Sequence, residues 1–99
     1  DVYSLSDMEI AEEIGEKLRR IRLNENMPRD ELQRITGIHS KTIGDAENGK
    51  NITLMTLISI LRGLNALHLL EPLTEDEDIS PVDIAKNNGK VRMRARGKR

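Results

Sequence analysis

Apolar residues recur over residues 7–73 at the three- and four-residue spacings of amphipathic helices. Ser6, with Glu9 three residues later, forms the capping-box pattern that opens a helix, here over about 7–25. The pattern therefore predicts a first helix with one inward-facing stripe. Its members are Ile10, Ile14, Leu18 and Ile21.

Two short helices are predicted next. Pro28 fits the first turn of the earlier one, where its missing N–H costs nothing, and Gly37 ends it because glycine readily takes the left-handed cap conformation. The later helix begins near Ser40 and ends at Asn48-Gly49. The side chains predicted to point inward from this pair are Leu32, Ile35 and Ile43.

Thr53 is the expected cap of a fourth helix, and residues 65–73 form a fifth segment that is too apolar for a free linker. An acidic loop follows over 74–78, then Ser80-Pro81 as a further helix start, then a basic tail over 90–99. We predict a domain over 1–73 and an appendage over 74–99. The expected apolar set of the fourth helix is Leu54, Leu57, Ile58, Leu61 and Leu64.

Two short helices joined by a tight glycine turn are typical of a helix-turn-helix, and residues 28–49 have this arrangement. The spacing of Leu32, Ile38 and Ile43 lets them fill the wedge between the helices. In such a motif the second helix enters the major groove of DNA and its first residues contact base edges. The pattern thus favours a DNA-binding module.

Residues 14 to about 65 resemble the DNA-binding domain of the Cro and phage-repressor (Xre-type) regulators. The likeness rests on Ile-Gly in the first helix, Leu-Gln-x-x-x-Gly at the turn, then Thr-Ile, Glu-Asn-Gly-Lys and Leu-x-Thr-Leu. It implies an all-α, five-helix, lambda-repressor-like fold, here extended by a short C-terminal helix and the basic tail. The continuation after residue 64 is similar to regulators encoded beside HipA-type toxins, which implies an autoregulating antitoxin with such a toxin as partner.

The resemblance also implies roles for individual residues. Lys41 can donate to guanine, and Thr42 can meet a thymine methyl group or a phosphate, whereas Gly44 lets the backbone approach the groove. Asp45 either accepts from cytosine or repels incorrect sites. The implied base-contacting set is Ser40, Lys41, Thr42, Gly44 and Asp45, and the implied phosphate-contacting set is Arg22, Arg29, Asn48 and Lys50.

Two positions depart from the family pattern. Gln33 replaces a small residue, so its long amide must point outward or find partners, and this affects the angle between the two helices. His39 replaces the usual Ser or Thr cap of the recognition helix, so we expect Ser40 to take that role.

The composition excludes further classes of protein and kinds of binding site. Ninety-nine residues fit one domain. The absence of cysteine excludes disulfides and thiolate metal sites and is compatible with the bacterial cytoplasm, at the nucleoid. No apolar run is long enough for a membrane span, so no membrane partner is expected. No metal cluster, cofactor motif or catalytic arrangement is present in the sequence, and we therefore predict no cofactor and no enzyme.

The net charge of −1 is the sum of an acidic region and a basic region. Residues 1–89 carry ten basic and seventeen acidic side chains, whereas residues 90–99 carry six basic and no acidic ones. The tail can be a solubilising segment, a DNA arm or a docking segment for an acidic partner. For the DNA arm, the residues expected at phosphates or in a minor groove are Arg92, Arg94 and Arg96.

The leucines after residue 64 have two interpretations: they close the core of one chain, or they form the seam of a two-fold dimer. The second is favoured because one short recognition helix contacts few base pairs, and a dyad places two of them about 34 Å apart on a palindrome. The members are Leu67, Leu69, Leu70 and Leu73. We thus predict a dimeric, sequence-specific repressor, with a bridging-factor-like protein adaptor as the alternative.

Overall fold

The structure, a computed structural model, describes residues 1–75, and that part of the chain contains helices and no strand. This confirms the all-α prediction. Most of the acidic loop, the predicted helix start at Ser80-Pro81 and the tail arginines Arg92, Arg94 and Arg96 lie outside the described residues. The elements are α1 (Asp7–Asn24), α2 (Arg29–Thr36), α3 (Ser40–Glu47), α4 (Leu54–Gly63) and α5 (Glu71–Thr74), with 3₁₀ helices at Val2–Ser4 and Leu67–Leu70.

The first helix begins at the predicted capping box. Ser6 Oγ accepts from the Glu9 N–H at 3.1 Å, and Glu9 Oε1 accepts from the Ser6 N–H at 2.8 Å. Helix α1 packs against α3, and their backbones approach closely at Gly15. A Cβ added there would lie 2.5 Å from the Ala46 carbonyl oxygen, so only glycine permits this helix crossing. The crossing holds α3 on α1.

The turn between α2 and α3 is as predicted. Gly37 has φ +79°, the left-handed conformation that ends α2, and both Leu32 and Ile43 are completely buried beneath the turn. Pro28 differs from the prediction because it is the N-cap residue before α2 and does not belong to its first turn. Ile35 was predicted to point inward but is 46% exposed, since it lies on the outer edge of α2.

The inward face of α4 is shifted toward its C-terminal half. Ile60, Leu61 and Leu64 are buried there, whereas the predicted core residue Leu54 is 69% exposed. Helix α2 packs near the end of α4, where a Cβ on Gly63 would meet Thr36, so the first turn of α4 stays uncovered. On α1, Ile14 is likewise 45% exposed although its spacing predicted burial.

The fifth predicted segment is divided in the structure into the 3₁₀ helix Leu67–Leu70 and the short α5. Residues Asp1–Leu69 form one compact unit, and a second unit begins at Leu70. Within residues 1–75, every helix is too short or too polar to cross a membrane.

Candidate nucleic-acid interface

Two side chains cap the N-terminus of α3, and neither is the Ser40 side chain that the sequence predicted. His39, not Ser40, is the N-cap residue, and its Nδ1 accepts from the Lys41 N–H at 3.1 Å. Ser40 is already the first helical residue, and its N–H donates to Gln33 Oε1 at 2.8 Å. The long amide of Gln33 thus finds its partner on α3. These bonds satisfy two donors that a helix start otherwise leaves without partners, and they join α3 to α2.

The exposed face of α3 carries a small charge network. Lys41 Nζ lies 3.3 Å from Asp45 Oδ2, and Lys50 Nζ lies 3.9 Å from Asp45 Oδ1. The two lysine side chains are mostly exposed, whereas Asp45 is more covered. One carboxylate between two ammonium groups leaves an excess of one positive charge at this surface. The structure therefore brings together three predicted contact residues, two expected at bases and one at phosphate.

The remaining predicted contacts differ in accessibility. Ser40 and Thr42 are half-buried at the start of α3, and Asn48 is exposed at its C-terminal cap. Gly44 is buried, so the predicted approach of its backbone to the groove does not agree with its position. A Cβ at Gly44 would meet the guanidinium of Arg29, which covers the helix backbone at this point.

A buried ion pair lies on the opposite face of α3. Glu47 Oε2 accepts from Arg22 Nε at 2.6 Å, and Glu47 Oε1 accepts from Arg22 Nη2 at 3.0 Å. Arg22 Nη1 donates to the Met27 carbonyl oxygen at 2.8 Å. Arg22 is only 6% exposed, so its predicted phosphate contact is corrected to a structural role that connects α1 with the end of α3.

Arg29 is the third member of a cluster with Arg22 and Glu47, and it lies on the solvent-exposed side of this cluster. Its Nε and Nη2 both donate to Glu47 Oε1 at 3.2 Å, and 42% of its side chain remains exposed. Arg22 balances the charge of Glu47, and Arg29 adds a second cation that reaches the surface. The predicted phosphate role of Arg29 is therefore compatible with its position, unlike that of Arg22.

Glu47 remains ionised inside this cluster. Burial by itself would raise the pKa of the Glu47 carboxyl, but hydrogen bonds and charge from Arg22, followed by those from Arg29, outweigh burial and lower the pKa below its usual value. The sequence contains a signal for this site outside the helix-turn-helix pattern. Ile43, Ala46 and Glu47 share helical spacing, which places an acidic residue on the buried face of α3.

The leucines proposed for a dimer seam are unequally covered. Within the first unit, Leu67 is half-buried and Leu69 is 41% exposed. In the second unit, Leu70 is half-buried and Leu73 is 81% exposed. The dimer seam expected from these four leucines stays a prediction.

Comparisons with known proteins agree with this geometry. A family model described as "Helix-turn-helix" matches residues 18–71, which include α2, the capped α3 and the C-terminal part of α1. The control protein C.SmaI of Serratia marcescens is 37% identical over 59 residues, which cover 59% of this chain and 70% of that protein.

Proposed function

Since the chain belongs to the Xre-type helix-turn-helix family, a family of DNA-binding regulators and not of enzymes, we propose that it is a dimeric, sequence-specific transcriptional repressor of a palindromic operator. The observation that carries the proposal is the exposed, doubly capped N-terminus of α3 with Lys41 on its surface. A helix presented in this way can place its first turn in a major groove.

Rigid support for α3 favours sequence-specific contact over loose attraction. Gln33 holds its N-terminus from α2, and Glu47 ties its C-terminal end to Arg22 of α1. Because these bonds exist before DNA binds, little conformational freedom of the helix is lost on binding. Preorganisation of this kind is expected when individual side chains must meet particular base edges.

We assign the DNA contacts by accessibility. Base edges are proposed to meet Lys41 and Asp45, with Ser40 and Thr42 beside them at the start of α3. The phosphate-contacting residues are proposed to be Arg29, Asn48 and Lys50. Arg22 and Gly44 leave the predicted sets because both are buried. Phosphate contacts fix the register of the helix, and base contacts supply the sequence preference.

A second copy of the chain is proposed to bind the other half of the operator. Helix α3 has only 8 residues, so one copy contacts few base pairs, and a two-fold arrangement spaces two such helices by about 34 Å. In the second unit, Leu73 exposes apolar surface that suits a seam between copies, and in the first unit Leu69 does the same.

The name of the similar protein, a control protein, supports regulation as the role of this chain. The antitoxin role and a HipA-type toxin partner stay predictions, because they rest on residues after 64 and the matched region ends at residue 71. The adaptor alternative predicts weak DNA contact without sequence preference, and the following experiment separates it from a repressor.

The deciding experiment is selection of binding sites from random duplex DNA at two salt concentrations. We expect one palindrome to be enriched, with Lys41→Ala losing the preference at one position of each half-site, worth about 1–3 kcal/mol. Lys17→Ala, an exposed lysine on α1, removes the same charge outside α3 and should keep the preference. Enrichment of no sequence would reject specific recognition and favour the adaptor.

A further inference from the structure

Gly44 lies inside the recognition helix α3, where glycine lowers helix stability relative to alanine. It is not a cap and has no left-handed backbone, since the positive-φ glycines within residues 1–75 are Gly37 and Gly49. The backbone conformation at position 44 therefore does not require glycine. The space beside this position explains why a glycine occurs there.

That space holds the guanidinium of Arg29. A Cβ at Gly44 would lie 3.3 Å from Nη1, 3.4 Å from Cζ and 3.7 Å from Nη2 of Arg29, so the guanidinium lies against the backbone of α3. Its other edge is fixed, because Nε and Nη2 both donate to Glu47 Oε1 at 3.2 Å. Arg29 is thus held between a buried carboxylate and the helix backbone.

The charge of Arg29 remains available for a ligand. Arg22 binds both carboxylate oxygens of Glu47 and balances its charge, so Arg29 is the surplus cation of the cluster. Its Nη1 takes no part in the bonds to Glu47, and 42% of the side chain is exposed. A guanidinium binds phosphate through several N–H groups, and one that is already oriented loses little rotamer freedom on binding.

We propose that Gly44 is a positioning residue for DNA-backbone binding: its missing side chain seats Arg29 on α3, with an exposed edge for a DNA phosphate. The inference rests on the proposed function and makes positions 29 and 44 interdependent. An added methyl group at 44 displaces the flexible end of Arg29 by a few tenths of an ångström and leaves the helix intact. Folding and phosphate binding therefore respond differently to the same substitution.

The test is a double-mutant cycle with the full chain on one duplex, the selected site or a random duplex of equal length. Arg29→Gln should weaken binding about tenfold and reduce the slope of log affinity against log salt by about 1. Gly44→Ala should weaken binding about three- to tenfold, with an unchanged or higher melting temperature. In the Arg29→Gln background, Gly44→Ala should have no further effect on binding.

Arg29→Lys supplies a second background, because lysine keeps the charge but lacks the planar group that occupies the space at Gly44. There too, Gly44→Ala should leave affinity and salt slope unchanged. Additive losses in the cycle, or a Gly44→Ala variant with wild-type affinity and slope, would overturn the inference alone. A wild-type chain that binds no duplex at low salt would overturn the proposed function and the inference with it.

Discussion

Arg22 of α1 and Glu47 of α3, 25 residues apart in the sequence, are joined by two buried hydrogen bonds of 2.6 and 3.0 Å. Together with the close backbone contact at Gly15, this pair fixes where the end of α3 lies on α1. A buried ion pair adds little net stability compared with apolar residues, but removal of one partner leaves an uncompensated charge inside. The orientation of the recognition helix therefore depends on both residues.

Glu47→Gln should destabilise the fold by about 3–5 kcal/mol, because Arg22 keeps its charge in a buried site without its anionic partner. Urea unfolding followed by circular dichroism measures this loss. Glu31→Gln removes an exposed carboxylate from the weak surface pair with Arg34, and it should cost less than about 1 kcal/mol. Equal small losses in the two variants would contradict the structural role of the Arg22–Glu47 pair.

Stability should also fall in acid because of the same carboxylate. The pKa of Glu47 is lowered in the folded chain relative to its usual value of 4.5, so Glu47 binds a proton more weakly when folded than when unfolded. Its contribution is therefore complete above about pH 4.5 and is lost as pH falls through the lower folded value.

Unfolding free energies of the wild type and Glu47→Gln, measured across that acidic range, provide the comparison. The difference between the two proteins should shrink as pH falls, since the variant lacks the titrating group. A difference that stays constant down to pH 3 would show that the Glu47 carboxyl has no lowered pKa.

The recognition helix shows how far the sequence alone leads. Its bounds, the left-handed Gly37 and the buried Leu32 and Ile43 are all local consequences of spacing and cap chemistry, and the structure confirms them. The cap itself was assigned to the wrong residue. Nothing local to Ser40 shows that Gln33, 7 residues earlier, reaches its N–H, or that an imidazole nitrogen at His39 replaces a hydroxyl.

The errors in the predicted site have the same origin. A charged residue such as Arg22 is normally exposed, so its burial becomes predictable only once Glu47 is known to lie on the inner face of α3. Leu54 and Ile14 fit the apolar stripes of their helices, but the structure leaves them 69% and 45% exposed. Periodicity identifies a face, and the length over which it is covered depends on tertiary packing.

Asp45→Asn should increase affinity for unrelated DNA and decrease the ratio of specific to non-specific affinity. The substitution removes the carboxylate that lies between Lys41 and Lys50, so both ammonium groups become available to phosphates. We expect the salt slope on a random duplex to steepen by about 1. Fluorescence anisotropy at several salt concentrations gives both quantities.

Asp30→Asn is the matched control, because it removes one exposed carboxylate from the first turn of α2 and leaves the α3 network intact. Identical gains in the two variants would reduce the role of Asp45 to general charge. A loss of specific affinity at one base pair only would instead identify Asp45 as an acceptor from cytosine.

Leu73→Asp should convert a dimer into a monomer. Leu73 is 81% exposed, so an aspartate there costs the folded chain little, but it places a charge in the proposed apolar seam. Sedimentation at tens of micromolar should give the dimer mass for the wild type and the monomer mass for the variant. Affinity for the palindrome should fall about 100-fold or more, because the two half-sites are then bound independently.

Leu54→Asp is the matched control for Leu73→Asp. Leu54 is 69% exposed on α4 and lies outside the proposed seam, so this variant should keep the wild-type mass and affinity. A wild-type monomer at these concentrations, with Leu73→Asp binding DNA as tightly, would remove the dimer from the proposal.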